Sequence, residues 1–362
     1  MRRLKEDFIP QSGKHCVTTA LRQVLNYEGV HFSEEMLLGL GGGIYFGYIN
    51  LASGPMMTGR SKVFEFEEIL AEHLGIKIRC KAPKEYGRAF EKLKGQIDQG
   101  KPTLIYVDMP YLSYLQMLPS SHFGGHSIVV FGYDEEKEVF YISDRDGKDF
   151  PVPTSKGKME EDYHLVSYEE MEKARSSKHR PFPPHNKYLE IEASTIREVD
   201  APMLKEAIEN CARKMLNPPA YFLGIQGILK FAKSLPRWEK LGDKLYGTMI
   251  SNSFMIGHEG GTGGGAFRKM YGNFLIEAAS FFETKELIKI GEGFIEVALK
   301  WDLVASGLRN FKAFQKESSL TQKEGLQALG KQVEEIYKDE KQLFEAILAF
   351  TTINRGGERY EI

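Results

Sequence analysis

One cysteine in the sequence lies where its thiol could act as a nucleophile. Cys16 stands at the start of an expected helix, in a run that reads His-Cys-Val-Thr-Thr-Ala-Leu-Arg-Gln-Val-Leu-Asn-Tyr. A thiol at this position faces unpaired backbone N–H groups and the positive end of the helix dipole. Both favour the thiolate, which is the reactive form of cysteine. We therefore predict that Cys16 is a nucleophile that forms a covalent intermediate.

A histidine that opens a strand is the predicted base. His126 follows Gly124-Gly125, and glycines at this point allow close backbone approach and leave room for a substrate. An imidazole beside the thiol would lower the pKa of the thiol further. His122 and His15 compete for this role. His15 is adjacent to Cys16 in sequence, and its side chain is expected to point elsewhere on the helix.

A carboxylate would fix the tautomer of this imidazole, and Asp144 is the predicted one. If residues 133 and 137 flank a three-residue turn, His126 and Asp144 face each other on the same side of a hairpin. Facing residues have Cβ atoms roughly 4.5–5.5 Å apart, which is close enough for a hydrogen bond between the side chains. A slip of one residue would break this match, and Asp134 and Asp146 are the alternative carboxylates.

Gln11 completes the predicted site. It lies just upstream of the thiol and could donate to an oxyanion together with the backbone N–H of Cys16. The other two cysteines, Cys80 and Cys211, lie in ordinary amphipathic surroundings, where a cysteine is usually a small hydrophobic residue. Three widely spaced cysteines give no disulfide framework. Because no CxxC motif or Cys/His cluster is present, no metal site is expected.

The elements that must position these groups follow from hydrophobic periodicity. Helices are predicted over 15–27, from Ser33 as N-cap, and over 65–74 and 85–98. Strands are predicted over 77–79, 103–107, 127–133, 139–143 and 187–191. Helices followed by a mostly antiparallel sheet indicate an α+β fold for the first half of the chain.

The second half of the chain is predicted to be helical. Apolar residues recur at helical spacing over 203–216, 220–233, 265–282, 286–306 and 322–350. A proline-rich loop over 178–186 precedes this part. We therefore expect a catalytic domain over residues 1–195 and a helical accessory or substrate domain over residues 196–362.

Composition restricts the class of protein. The chain has 362 residues, which suits two domains, and its 42% apolar and 27% charged residues are typical of globular proteins. A net charge of -2 favours neither nucleic acid nor an anionic membrane as a partner. Residues 1–7 lack the apolar segment of a signal peptide, and no apolar run approaches the roughly 20 residues that span a bilayer. We expect a cytoplasmic protein with reduced thiols.

Short motifs around the thiol and the imidazole point to a known family. They are Gly13-Lys14-His15-Cys16, Ala20-Leu21-Arg22, Tyr27-Glu28-Gly29, Ser33-Glu34-Glu35-Met36, Gly39-Leu40-Gly41-Gly42-Gly43, Gly125-His126-Ser127 and Asp144. Together they resemble the N-terminal domain of the butirosin biosynthesis protein H family. Further along, Gly260-Gly261-Thr262-Gly263-Gly264-Gly265-Ala266-Phe267-Arg268 looks like the helical domain that accompanies it in that family.

The resemblance implies a papain-like fold for the first domain and a transferase reaction. The namesake enzyme moves an aminoacyl group from an acyl carrier protein thioester to the amine of an aminoglycoside. By this resemblance, Cys16 would take the acyl group as a thioester, and His126 would activate the acceptor amine. No cofactor is implied, since the acyl-phosphopantetheine thioester is the donor. The implied partners are an acyl carrier protein and a small-molecule amine; assembly into a homo-oligomer is left open.

A glycine-rich loop precedes the predicted helix from Ala266. Backbone N–H groups at such a junction can bind an anion, and Arg268 and Lys269 could assist. We predict that Gly261, Thr262, Gly263, Gly264 and Arg268 contact the substrate, either at the phosphopantetheine arm or by closing over Cys16. The loop is neither a phosphate-binding P-loop nor a dinucleotide fingerprint. The alternative is a flexible linker or close helix packing.

Two other functions remain open at the level of sequence. A cysteine peptidase or amidase would form the same acyl-enzyme and pass the acyl group to water. A binding protein on the same scaffold would use neither the thiol nor the imidazole chemically. Water exclusion from the cleft, which separates transfer from hydrolysis, is a three-dimensional property.

Overall fold

The protein is represented by a computed structural model that describes residues 1–60, 65–145, 163–180, 182–193, 195–312 and 320–353. The chain divides into two compact units. The first contains Met1–Leu37 and Leu74–Arg197, and the second contains Leu38–His73 and Glu198–Ile362. The first unit is α+β and the second is mainly helical, which confirms the predicted fold class.

An antiparallel sheet forms the centre of the first unit. In the described residues seven strands pair in the order β4-β9-β5-β6-β7-β8, and β1 adds to β6. These strands are β1 (Arg2–Leu4), β4 (Lys77–Lys81), β5 (Thr103–Val107), β6 (His126–Asp134), β7 (Val139–Ser143), β8 (His164–Ser167) and β9 (Tyr188–Glu192). The helices are α1 (Cys16–Tyr27), α2 (Glu34–Leu40), which runs on into the second unit, α4 (Tyr86–Asp98) and α5 (Tyr168–Ser176).

Strand β6 is buried along its whole length because helices cover both of its faces. It contacts α1 and α4, and every residue of the strand is buried. On one face Ile128 and Val130 join the apolar cluster that Leu93 of α4 and Met171 of α5 complete. A strand that is buried on both faces reads as a continuous apolar run, which is why the sequence predicted it well. The strand therefore holds His126, its first residue, in a rigid position.

The hairpin between β6 and β7 differs from its predicted register. Asp134 pairs with Val139, so the turn contains four residues, and Glu138 adopts a left-handed conformation with φ 51°. The register then shifts between Val130 and Gly132, and Val129 pairs with Ser143. The predicted three-residue turn is therefore wrong. If this pairing continues by one residue, Asp144 lies opposite Ile128 and not opposite His126.

The second unit begins with a hairpin that the sequence analysis did not predict. Strands β2 (Ile44–Leu51) and β3 (Gly54–Arg60) pair antiparallel, and helix α3 (Glu65–Leu74) follows. The remaining described helices are α6 (Ala201–Leu216), α7 (Gly224–Ser234), α8 (Lys244–Ile256), α9 (Arg268–Ala278), α10 (Glu286–Arg309) and α11 (Gln322–Ile353). None of the described helices is both long and apolar enough to cross a membrane.

Aromatic packing explains why this hairpin belongs to the second unit. Phe46 of β2 stacks on Trp301 of α10, with ring centroids 5.7 Å apart, and also contacts Phe231 of α7. The hydroxyl of Tyr48 accepts a hydrogen bond from Trp238 Nε1 at 3.0 Å. The structural division therefore differs from the expected continuous domain over residues 1–195, because residues 38–73 group with the second unit. The first unit ends at Arg197, close to the expected boundary.

Candidate active site

Cys16 is the first residue of α1, as the sequence predicted. The residue before it, His15, is the N-cap: its backbone is extended, with φ -129° and ψ 129°, and its ring accepts the backbone N–H of Thr18. The Cys16 side chain is 8% exposed. The thiol thus lies at the end of a helix where unpaired N–H groups and the helix dipole stabilise a negative charge.

A buried carboxylate fixes the turn that presents the thiol. Glu34, the first residue of α2, accepts the backbone N–H groups of Lys14 at 2.9 Å and His15 at 3.1 Å. It also accepts the hydroxyls of Thr18 and Thr19, both at 2.8 Å. Charge-assisted hydrogen bonds of this kind are stronger than neutral ones, so the chain before Cys16 has little freedom to move.

Gly13 is required by this arrangement. A Cβ atom at that position would lie 2.4 Å from Glu34 Oε1 and 2.1 Å from Thr19 Oγ1. Both distances are far below van der Waals contact, so any larger residue would displace the carboxylate from the turn. The glycine in the Gly13-Lys14-His15-Cys16 motif therefore has a steric explanation.

His126 and Asp144 form the second contact of the site. Asp144 Oδ2 lies 2.7 Å from Nε2 of His126, and both side chains are buried. Burial by itself would lower the pKa of His126, but the charge and hydrogen bond of Asp144, together with Cys16, raise the pKa to about 9. The imidazole is therefore held as a cation at neutral pH when the thiolate is present.

Asp144 has further partners that keep it ionised. The hydroxyl of Tyr114 donates to Oδ2 at 2.7 Å, and the backbone N–H of Arg145 donates to Oδ1 at 2.6 Å. Burial would raise the pKa of this carboxyl, but the charge of His126, its hydrogen bond and the contributions of Arg145 and Tyr114 lower the pKa to about 2. A carboxylate with three donors is a fixed orienting group for the imidazole.

Two imidazoles, those of His126 and His15, affect the pKa of the Cys16 thiol. Burial would raise its pKa, but hydrogen bonds with His126 and then with His15 lower the pKa well below the usual value of a thiol. Since Nε2 of His126 is engaged with Asp144, the ring nitrogen that remains for the sulfur is Nδ1. Chemically, the arrangement is a thiolate–imidazolium pair that can attack an acyl carbonyl and return a proton to the leaving group.

The competing residues lie in other surroundings. His122 Nδ1–H donates to Asp108 Oδ2 at 2.8 Å, and its ring stacks on His179. These contacts lie apart from Cys16. Asp134 accepts the backbone N–H of Glu136 and caps the turn after β6. Asp146 lies outside the described residues. In the part of the chain that the structure describes, no group of three or more His, Cys, Asp or Glu residues could hold a metal ion.

Gln11 is not brought to the thiol. Its Oε1 accepts a hydrogen bond from Asn26 Nδ2 at 3.1 Å, and its backbone N–H donates to Gln23. Asn26 is ten residues along α1 from Cys16, a rise of about 15 Å at 1.5 Å per residue. The structure therefore does not support the predicted oxyanion role of the Gln11 side chain, because that side chain is bound towards the other end of the helix.

The glycine-rich loop binds groups of its own chain. Thr262 Oγ1 donates to the carbonyl of Ile256 and accepts the N–H of Gly264 at 3.1 Å. The N–H of Gly265 donates to Asp302 Oδ1 at 2.9 Å, and that of Gly261 donates to the carbonyl of His258. A Cβ at Gly265 would lie 2.3 Å from the Cα of Ala298, so this glycine permits close helix packing. The carboxylate of Asp302 thus takes a position that the prediction gave to a substrate anion.

Arg268 is bound by groups of its own chain, and these contacts do not support its predicted contact with substrate. The side chain is fully buried, and its Nε and Nη2 donate to Glu340 at 2.8 and 2.9 Å. Its Nη1 donates to three carbonyl oxygens, those of Tyr45, Gly59 and Ala266. Each guanidinium nitrogen already has a partner, and the side chain is not exposed to an anion in solution. Gly263 lies in the same loop and adopts φ 67°.

Sequence reasoning missed three residues of the site: His15 as the N-cap of α1, Glu34 and Tyr114. Histidine is not a preferred N-cap, so nothing in the sequence indicated that the His15 ring turns towards the helix. Glu34 carries a local signal only as an acidic residue in the first turn of α2. Tyr114 lies in a single 3-10 turn, Ser113–Leu115, and only the folded chain brings its hydroxyl to Asp144.

Two protein families match the chain over most of its length. The N-terminal domain of butirosin biosynthesis protein H matches residues 15–145, and a domain of unknown function, DUF4872, matches residues 169–347. The chain has the butirosin biosynthesis protein H-like architecture. No curated protein matches it significantly.

The butirosin biosynthesis protein H match includes the thiol, the imidazole and the carboxylate of the site. It begins at His15 and ends at Arg145, and so contains Cys16, His126 and Asp144, whereas Gln11 lies outside it. The match also includes residues 38–73, which the structure groups with the second unit. The family region and the structural unit therefore differ, although both contain the thiol, the imidazole and the carboxylate.

Proposed function

We propose that the protein is an acyltransferase that carries an acyl or aminoacyl group on Cys16. The observation that supports this most directly is the pairing of two buried groups: Asp144 lies 2.7 Å from Nε2 of His126. In addition, Cys16 begins a helix, and His126 lowers the pKa of its thiol. This is the constellation used for nucleophilic catalysis by thiols, in which the carboxylate orients the imidazole.

The first half-reaction loads the thiol. The Cys16 thiolate attacks the carbonyl carbon of an acyl thioester, and a C–S bond forms while the carbonyl oxygen becomes an oxyanion. The backbone N–H of Cys16, at the start of α1, is placed to stabilise that charge. The intermediate collapses by breaking the bond to the donor thiol, which takes the proton from His126. The products are an acyl group on Cys16 and the free donor thiol.

The second half-reaction passes the acyl group to an amine. Neutral His126 removes a proton from the attacking amine, and the new C–N bond forms at the same carbonyl. Cys16 leaves as a thiolate, which restores the thiolate–imidazolium pair. The net reaction converts a thioester and an amine into an amide and a thiol, and it needs no oxidant, reductant or cofactor.

The family match supports the choice of donor and acceptor in this proposal. Membership in a butirosin biosynthesis protein H-like architecture favours the biosynthesis of a specialised metabolite of the antibiotic type. The donor proposed is an acyl carrier protein thioester, and the acceptor is the amine of a small molecule. The low exposure of the site favours transfer over hydrolysis, since Cys16, His126 and Asp144 are 8%, 2% and 3% exposed.

The test uses intact-protein mass and two matched cysteine variants. The protein is incubated with a panel of acyl and aminoacyl thioesters, on N-acetylcysteamine and on an acyl carrier protein. Cys16→Ala removes the proposed nucleophile, and Cys80→Ala removes an exposed cysteine outside the site. We expect an adduct of the acyl mass on the wild type and on Cys80→Ala, and none on Cys16→Ala.

Addition of amines then separates the possible outcomes. An amide product would support transfer, and free acid as the sole product across a wide amine panel would favour an amidase. An unmodified wild-type protein with every donor would contradict both, and would favour a binding protein on this scaffold.

A further inference from the structure

Basic side chains line a cleft at the β4 edge of the sheet in the first unit. This basic cleft has a volume of about 720 Å³, and the end of β4, the start of α4 and strand β9 form its walls. Its charged lining residues are Lys81, Lys84, Glu85, Arg88, Lys92 and Glu190. We propose that the basic cleft docks an acidic helix of the protein that delivers the acyl group. The proposal deepens the acyltransferase function and rests on it for the identity of the partner.

The positive charges of the basic cleft are only partly balanced. Four cations and two carboxylates line it, although the whole chain has a net charge of -2. One of the carboxylates, that of Glu190, already lies 3.7 Å from Lys81. Within the described part of the chain, Lys84, Arg88 and Lys92 form no ion pair, and all three are exposed. These three side chains can therefore pair with an anionic partner from solution.

The spacing of the cations fits a helical partner. Arg88 and Lys92 are one turn apart on α4, a rise of about 6 Å at 1.5 Å per residue. Carboxylates at i and i+4 on a second helix repeat at the same distance, so the two rows can pair side by side. Like charges at this spacing weaken a helix, and an acidic partner would remove that repulsion.

The exposure of the cations favours a protein over a small molecule as the partner. Sites for small ligands enclose most of the ligand and are lined mainly by apolar groups. The basic cleft is instead lined mainly by charged side chains that lie at the surface. Exposed charges of one sign steer an oppositely charged protein and increase its rate of association. A small phosphate compound is the alternative occupant.

The sheet places the basic cleft on the same face as the imidazole of the active site. Lys81 pairs with Tyr188 across β4 and β9, and the same row continues through Ile105 to Ile128. Paired residues share a face, and His126 precedes Ile128 by two residues on β6, so its side chain shares that face too. Three strand spacings of about 4.8 Å and two residues of about 3.3 Å give roughly 16 Å between the Cα atoms of Lys81 and His126. A partner docked here would hold an acyl-bearing arm on the side of the sheet that carries the imidazole.

The binding test uses a fluorescent synthetic helix and charge-reversed variants of the full chain. The helix carries glutamates at i and i+4, and its control carries glutamines at the same positions. Arg88→Glu/Lys92→Glu reverses the charge of the basic cleft, and Lys84→Glu does so in the loop before α4. Lys101→Glu/Lys137→Glu, at exposed lysines outside the cleft, is the matched control. Melting temperatures check that each variant is folded.

We expect the glutamate helix to bind the wild type and the control variant, and to bind more weakly as the salt concentration rises. Its affinity should fall about tenfold or more in Arg88→Glu/Lys92→Glu, and by a smaller factor in Lys84→Glu. Equal binding to the cleft variants and the control variant, or equal binding of the glutamine helix, would overturn the proposal.

Inorganic triphosphate is the probe for the alternative occupant. If triphosphate raised the melting temperature of the wild type but not that of Arg88→Glu/Lys92→Glu, while the glutamate helix did not bind, the cleft would be a phosphate site. That result would reject the docking of an acidic helix.

Kinetics then connect docking with the reaction. One acyl group is supplied on an acyl carrier protein and on N-acetylcysteamine. In Arg88→Glu/Lys92→Glu we expect the KM for the carrier thioester to rise about tenfold or more relative to the KM for the N-acetylcysteamine thioester. An unchanged ratio would reject the basic cleft as the docking site of the carrier. A protein that binds the glutamate helix but is acylated by no donor would retain the docking site and lose the acyltransferase function.

Discussion

Oδ2 of Asp144 lies 2.7 Å from Nε2 of His126, although the two residues are not opposite each other in the hairpin. They are diagonal neighbours, because the observed register shifts Asp144 two residues along β6. Diagonal side chains on one face of a sheet remain within reach of an imidazole. The contact sets the protonation state of the base and, through it, the state of the thiol.

The first prediction concerns the pKa of His126. Asp144→Asn removes the negative charge that stabilises the imidazolium. Burial, which lowers the pKa of His126, is then opposed less strongly. We expect the pKa of His126 to fall from about 9 towards or below 6.5, its ordinary value. NMR titration of the labelled imidazole measures this change. Asp134→Asn, which alters the turn after β6, is the matched control and should leave the His126 pKa unchanged; a pKa near 9 in Asp144→Asn would refute the ion pair.

The second prediction concerns stability against pH. Between pH 6.5 and 9, and above the folded pKa of the thiol, unfolding adds a proton to Cys16 and removes one from His126. The raised His126 pKa gives stability that is lost as pH rises towards 9, and the lowered Cys16 pKa gives stability that is gained over the same range. The two effects cancel, so the wild-type free energy of unfolding should be nearly flat there.

Removal of the thiol exposes the His126 contribution alone. In Cys16→Ala we expect the free energy of unfolding to fall as pH rises from 6.5 to the folded pKa of His126, with a slope of up to about 1.4 kcal/mol per pH unit. Urea titrations at several pH values measure both proteins. Parallel curves for the wild type and Cys16→Ala would show that the thiolate–imidazolium pair does not form.

The third prediction concerns Glu34. The buried carboxylate of Glu34 accepts four hydrogen bonds, from the N–H groups of Lys14 and His15 and the hydroxyls of Thr18 and Thr19. Glu34→Gln keeps the size of the side chain but replaces one accepting oxygen with an NH2 group. We expect a loss of about 2 kcal/mol in the free energy of unfolding, together with slower alkylation of Cys16. Glu35→Gln is the control, since Glu35 pairs with the side chain of Lys14 and does not contact the turn backbone. Equal losses in both variants would contradict the special role of Glu34.

The fourth prediction concerns Arg268. Arg268→Met leaves Glu340 as a buried charge without its partner, and the second unit should lose about 3–5 kcal/mol of stability. The exposed neighbour Lys269→Ala should have little effect. If Arg268→Met were as stable as the wild type and weakened only the donor KM, the side chain would bind substrate after all.

Sequence reasoning found the thiol, the imidazole and the carboxylate, but it did so by a route that was partly wrong. Helix α1 was predicted within one residue because its apolar period and its following glycine are local signals. The choice of Asp144 rested on a three-residue turn, whereas the chain has a four-residue turn and an irregularity near Phe131. The longer turn and the register shift together leave His126 and Asp144 on the same face of the sheet, so the two side chains still meet.

Other features depend on contacts that no local pattern carries. Glu34 of α2 reaches α1 through Thr18, and Tyr114 reaches Asp144 from a single 3-10 turn. Arg268 follows a glycine-rich loop, which suggested an anion site, but its partner Glu340 lies in α11. The hairpin of β2 and β3 packs on Trp301, which is far away in sequence. The first half of the sequence therefore could not show that this hairpin belongs to the second unit.

The location of the acyl group tests the central claim most directly. The Cys80→Ala protein and the Cys16→Ala/Cys80→Ala double variant are loaded with an aminoacyl thioester, digested at acidic pH and mapped by mass spectrometry. The account predicts one adduct, on the peptide that contains Cys16, which hydroxylamine removes and which the double variant lacks. An adduct of equal yield in both proteins, or its location on a peptide without Cys16, would contradict the account.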